Sequence, residues 1–149
     1  MAAYAAELHR TTEHATYPIG SVSTAASGMR RFRVYDLIVG ASATPSDNAI
    51  VYRVQRHTAP PAGTTVTPAP LDPADAACGA VGADLCSGTP TGTGTLIEIA
   101  LNSRATFRWV AAPGGELVVP ATASNGVNIL TPSYGSFTGA QIAQVHFLE

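Results

Sequence analysis

At 149 residues the chain is the size of one domain, with one hydrophobic core. An apolar fraction of 46% against 12% charged residues excludes a disordered chain, because it supplies enough burial to offset the entropy of ordering. A formal net charge of −2 lacks the clustered basic excess of a nucleic-acid binder.

That charged fraction is about half the usual quarter of a soluble domain, so much of the surface is Thr, Ser, Ala and Gly, which suits burial against partners. All eight basic residues are arginine. Arginine favours buried bidentate contacts, although a GC-rich genome produces the same bias. The start, residues 1–13, lacks a basic segment followed by an apolar one, and no apolar run approaches the roughly 20 residues that cross a bilayer. The expectation is a protein made in a cytoplasm and soluble there, without a membrane partner.

In chain order, the first stretch with clear periodicity is Met29 to Val39, MRRFRVYDLIV. Phe32, Val34 and Ile38 fall on one face of a strand and Arg31, Arg33 and Tyr35 on the other. Leu37 and Val39 then make the second face apolar too, which predicts a far end covered on both sides. Residues 40–48, GASATPSDN, form a turn-rich connection. A second strand follows over 49–57, where Ile50, Tyr52 and Val54 alternate with Val51, Arg53 and Gln55.

Residues 58–94 are rich in proline and glycine and read as an excursion outside the sheets. Within it LDPADAACGAV carries a short helix signal: Asp72 as N-cap, Pro73 at the first helical position, Asp75 in the first turn and a glycine stop. Long ordered loops are uncommon unless something packs on them, which makes this segment the first candidate for partner contact.

Beyond it, Thr95 to Leu101 turns Ile97, Ile99 and Leu101 inward and Glu98 outward. Ala105 to Val110 sets Phe107 and Trp109 opposite Arg108, with a turn at Asn102 and Ser103 between the two strands. Glu116 to Val119 is a short strand ended by Pro120. Asn125-Gly126 is a hairpin signal ahead of Val127 to Leu130, and Gln141 to Leu148 closes the chain. Six or more short strands with almost no helix predict an all-β fold: a jelly-roll-like β-sandwich with one loop excursion carrying a short helix.

Signals for chemistry are weak. His9, His14, His57 and His146 are scattered, without metal-ligand spacing, and read as surface or edge residues. Cys78 and Cys86 lie outside any CxxC pattern and read as two small buried thiols. The alternative is a loop-closing disulfide formed after release from a reducing compartment. No GxSxG turn is present. The carboxylates Asp36, Asp47, Asp72, Asp75, Asp84, Glu98 and Glu116 could supply a glycosidase pair about 5 to 9 Å apart only by folding, and turn, cap and surface roles account for most of them. SGTPTGTGT, residues 87–95, lacks the phosphate-loop lysine. Trp109 beside Arg108 could form a platform for a sugar or base, but an inward tryptophan on a strand reads first as core.

Four segments stand out together: SDNAIVYRVQRHT from Ser46, TTVTPAPLDPADAA from Thr64, LNSRATFRWVAAPGGELVVPATASNGV from Leu101, and the terminal HFLE. They resemble small virion proteins of tailed bacteriophages, the jelly-roll head decoration or cement proteins and related minor structural proteins. The resemblance spans about Arg31 to the C-terminus, is strongest in RATFRWVAAPGGELVVPATASNG, and contains no catalytic signature. It implies a homotrimer on the capsid surface of a virion, clamping neighbouring major capsid subunits, with no cofactor, metal or catalytic residue. The first thirty residues fit the family pattern least.

The expectation is therefore a non-enzymatic structural protein. Residues 1–28 form an N-terminal arm or a first strand, and residues 29–149 form the sandwich with the excursion at 58–94. Candidate interface residues are Arg31, Arg33, Arg53, Arg56, Pro70, Leu71 and Asp72. A tail-fibre or baseplate module that binds a carbohydrate receptor is the alternative, and a glycan-degrading enzyme stands third.

Overall fold

Among the described residues, 1–133 and 139–149, the computed structural model contains twelve strands and no helix. Strands β1 (Ala3–Arg10), β3 (Phe32–Ala41), β6 (Ala69–Pro70), β9 (Phe107–Val110), β10 (Leu117–Val119) and β12 (Gln141–Leu148) form the first sheet. Strands β2 (Gly20–Thr24), β4 (Ala49–Ala59), β5 (Thr64–Val66), β7 (Ala80–Asp84), β8 (Thr91–Asn102) and β11 (Gly126–Ser133) form the second. The first runs β10–β3–β12–β1–β6, with β9 beside β10 on the same edge of β3; the second runs β5–β7–β2–β11–β4–β8. All pairings are antiparallel.

The two sheets close on one core because the alternation along their strands is apolar on one side. Tyr4, Ala6 and Leu8 of β1, Phe32, Val34, Leu37 and Val39 of β3, and Ala143, Val145 and Phe147 of β12 are buried in one cluster. Val22, Ile50, Tyr52, Val54, Val127 and Ile129 join it from the second sheet. Phe147 sits at its centre, with ring centroids 5.6 Å from Tyr4 and 4.9 Å from Phe32. Offset and tilted aromatic packing of this kind adds about 0.5–1.5 kcal/mol per pair beyond area burial.

Residues 1–28, which the sequence leaves open between an arm and a first strand, hold β1 and β2, one in each sheet. β1 lies between β12 and β6 and pairs with β12 from Ala3–Leu148 to Arg10–Gln141.

The excursion needs correction. Residues 58–94 do not stay outside the sheets: β5 and β7 extend the second sheet beyond β2, β6 extends the first beyond β1, and β8 already begins at Thr91. Its prolines are compatible with this because Pro70 ends a two-residue edge strand, where a missing donor is tolerated. The predicted helix is only a turn. The Asp72 side chain caps it, accepting the Ala74 amide at 2.9 Å, and the Asp72 carbonyl accepts the Asp75 amide at 3.0 Å. The chain then leaves, because the Ala76 carbonyl accepts the Tyr4 hydroxyl at 2.8 Å and the Gly79 amide donates to the Glu149 carboxylate at 2.9 Å. Those groups are taken by tertiary partners before an intrahelical ladder can propagate.

The facing of β3 also differs from simple alternation. His146 pairs with Asp36 and Phe147 with Val34, so Tyr35 is an extra residue at a β-bulge. The bulge resets the phase: Leu37 and Val39 point into the same core as Phe32 and Val34, while Asp36 and Ile38 face outward. The far end of β3 therefore has one apolar face and not two. Likewise Asn125-Gly126 makes no hairpin, since β10 and β11 lie in different sheets; the left-handed turn residue there is Ser124, with φ 67°.

Removing residues 1–10 is expected to abolish folding, because truncating a single buried side chain such as Leu8 already costs about 2–5 kcal/mol of a total near 5–15. Far-ultraviolet circular dichroism and size-exclusion elution of the truncated chain check this; a native-like sheet spectrum with a cooperative melt would show β1 to be dispensable.

Candidate functional site

The strand register brings five of the candidate interface residues to one end of the first sheet. Arg33 lies opposite Leu148, Leu148 opposite Ala3, and the Ala3 carbonyl accepts the Leu71 amide at 2.8 Å. Arg31 directly precedes β3, Pro70 pairs with Tyr4, and Asp72 follows Leu71. Arg31, Arg33, Leu71 and Asp72 are exposed and Pro70 is half-buried.

Arg53 and Arg56 belong elsewhere. Arg53 Nε donates to Glu98 Oε2 at 2.6 Å across β4 and β8. Arg56 Nη1 donates to the Val118 carbonyl at 2.5 Å, tying β4 to the edge of the first sheet. Both arginines are half-buried and serve the fold.

Two clusters of polar side chains escaped sequence reasoning. On β2, β4 and β11, the Ser23 hydroxyl donates to His57 Nε2 at 2.9 Å and His57 Nδ1–H donates to Asn128 Oδ1 at 3.2 Å. All three residues are at most 2% exposed, so His57 is a core residue and not the surface or edge histidine its neighbours suggest. Burial pushes the imidazole pKa down to about 4, against a partial upward pull from its bond to Asn128. The seat depends on Gly126, where a Cβ would lie 2.2 Å from the Val22 carbonyl and 2.7 Å from His57 Nε2.

A hydroxyl, a neutral imidazole and an amide in a chain is an arrangement that can activate a serine. Here the hydroxyl is enclosed. Ser23 shares a cleft of about 240 Å³ with Pro60, Pro61 and Gly63 of the segment leaving β4, and His57 borders another of about 100 Å³. Both are smaller than the roughly 300–1,000 Å³ of usual small-molecule sites. The arrangement therefore acts as an internal hydrogen-bonded tie joining three strands of the second sheet.

The second cluster lies on the outer face of the first sheet. Asp36, 3% exposed at its side chain, accepts two contacts from Arg108 Nε at 3.0 and 3.2 Å, one from Arg108 Nη2 at 2.6 Å, and faces His146 Nδ1 at 3.3 Å. Hydrogen bonding from Arg108 holds the Asp36 carboxyl below its ordinary range, outweighing burial, with a further downward contribution from His146. Every oxygen of Asp36 is engaged, which leaves no free acid or base there.

The bulge explains why this pair was missed, since plain alternation does not set Asp36, Arg108 and His146 on one face. For Ser23 and His57 the sequence offers only Ser21 and Ser23 alternating with Val22, which reads as a solvated face; the cover from Pro60 and Pro61 is a tertiary fact. Arg10, buried and donating to the Cys86 and Pro18 carbonyls at 2.5 and 3.2 Å, was likewise invisible.

Both thiols are free: Cys78 Sγ donates to the Ala80 carbonyl at 3.3 Å and Cys86 Sγ to the Ala83 carbonyl at 3.6 Å. Burial raises both pKa values, that of Cys86 to about 12. Among the described residues no group of three or more His, Cys, Asp or Glu could hold a metal ion. Among those residues no helix is long and apolar enough to cross a membrane. No family model, curated protein or solved structure matches the chain.

Two outcomes follow from the His57 seat. His57 binds its proton less tightly folded than unfolded, so its stabilising contribution is complete above pH 6.5 and is lost as pH falls toward 4. Urea unfolding at pH 7.5 and 4.5 is expected to show a drop on the order of 3 kcal/mol, and His57→Gln should flatten it. Gly126→Ala should cost about 1–3 kcal/mol in the same measurement by overpacking against His57; an unchanged midpoint would mean the ring moves freely.

Proposed function

We propose that the chain is a bacteriophage head decoration protein, a jelly-roll homotrimer that binds the outer capsid surface and holds neighbouring major capsid subunits together. It acts by binding and not by catalysis. The strand order carries the proposal. Sheet neighbours β10–β3–β12–β1 face β2–β11–β4–β8; consecutive strands β1 to β4 alternate between the sheets, and β11 and β12 return to lie beside β2 and β1. This order supports a winding of two interlocked Greek keys, the architecture shared by viral capsid proteins and lectins. Strands β5 to β7 are then an insertion between β4 and β8 that widens the edges beside β1 and β2.

Surface composition supports the same reading. With 12% charged residues the exterior is neutral and hydroxyl-rich, and such a surface loses little by being covered. Many copies on a shell multiply modest contacts into high avidity. The segment that most resembles decoration proteins, Arg104 to Gly126, runs through β9 and β10 into the start of β11, along one margin of the sandwich.

A sugar-binding tail module needs an accessible aromatic platform. Among the described residues the large apolar side chains left exposed are Met1, Met29, Leu71, Leu85 and Val110, none of them aromatic, and Trp109 is half-buried against the core. This favours the decoration reading.

Heads assembled without this chain, mixed with the purified protein, are expected to co-sediment with it and to release their DNA at a higher temperature than bare heads. Protein that stays in the supernatant at saturating head concentrations would end the proposal.

A further inference from the structure

The end of the first sheet where β3 begins and β12 stops combines two features that a single molecule leaves unsatisfied. Three of the most exposed large apolar side chains gather there: Met1 at 85%, Met29 at 50% and Leu71 at 53%. Met29 belongs to the group because its neighbour Arg30 reaches Glu149 at 3.4 Å, and the Glu149 backbone pairs with Ala2. Exposed apolar side chains scattered singly need no explanation, but their collection at one pole does.

Charge flanks this patch with opposite signs. On the β3 side stand Arg31 and Arg33, and beyond β6 stand Asp72 and, in the turn that follows, the half-buried Asp75; none of the four forms an ion pair among the described residues. The row from Arg33 through Leu148 and Ala3 to Leu71 crosses three strand spacings, about 14 Å. Arg33 and the Leu71–Asp72 edge are therefore too far apart to neutralise one another within the chain. The carboxylate lying between them, Glu149, is already bound to the Gly79 amide and Arg30.

We propose that a second copy of this chain docks on this pole head to tail, the arginine flank of one copy meeting the aspartate flank of the next around a shared apolar centre of Met1, Met29 and Leu71. Both flanks lie on one end, on either side of the apolar centre. In this arrangement each copy gives its arginines to one neighbour and its aspartates to the other, a heterologous contact that makes a closed ring when its rotation divides the circle. That the ring has three members rests on the homotrimer of the proposed function; the pairing of the flanks does not. Charge complementarity sets the register, and the apolar centre supplies the burial.

Light scattering coupled to size exclusion on the full chain tests this. The wild type is expected to elute at the mass of three chains at micromolar concentration, and Arg31→Glu with Arg33→Glu at the mass of one. Asp72→Arg with Asp75→Arg should also give one chain, with circular dichroism and a cooperative melt showing that each variant is folded. The chain carrying all four reversals restores opposite flanks and should regain the mass of three. Because Asp72 caps a turn, Leu71→Ser is a second route to the same loss of mass. A monomeric or dimeric wild type, or a folded fourfold reversal that stays monomeric, would overturn the inference. Failure of the trimer to bind heads would remove the decoration reading alone, whereas head binding by a monomer would remove only this interface.

Discussion

The fold depends on the last two strands fitting between the first four. β12 inserts between β1 and β3, and β11 inserts between β2 and β4, so neither early pair is bonded directly. Until β11 and β12 arrive, β1 to β4 carry unpaired edges and half a core. Closing contacts such as Ala3–Leu148 costs loop entropy before burial compensates it. Folding of this topology is governed by non-local pairing and belongs with slow β-sandwich folding. The insertion also ties the first sheet together, since Phe147 on β12 supplies the ring on which Tyr4 of β1 and Phe32 of β3 pack.

Period-two patterning made most strands legible. Ile50, Tyr52 and Val54, then Ile97, Ile99 and Leu101, and finally Val145 and Phe147 announce their faces because one side of each strand is apolar and the sheet has no other way to bury it. What failed was whatever depends on a neighbour. Tyr35 looks like an ordinary outward residue until the mismatch with β12 makes it a bulge, and two apolar faces were inferred where there is one. Asp72 and Pro73 are sound helix-start residues, but Tyr4 and Glu149 take the groups a helix would need. The prolines of 58–94 signal loop, although β5, β6 and β7 are short enough to fit between them at sheet edges.

The candidate site divides along the same line. Arg31, Arg33, Pro70, Leu71 and Asp72 stand out one by one in the sequence, and the register places them on one pole. Arg53 and Arg56 look alike in sequence yet are consumed by Glu98 and the Val118 carbonyl. Polar residues that a chemist would notice, Ser23 with His57 and Asp36 with Arg108, satisfy each other inside or against the sheets.

One buried group doubles as a native reporter. Cys86 lies under the segment that crosses from β4, with the neighbouring Ser87 amide bonded to the Ala62 carbonyl at 2.9 Å and a thiol pKa lifted to about 12. Alkylation demands a sulfur that is both solvent-accessible and ionised, and here the same packing withholds both. The rate at which Cys86 takes up a thiol reagent under native conditions therefore measures how often that crossing segment lifts away, a local opening free energy obtained without introducing a label.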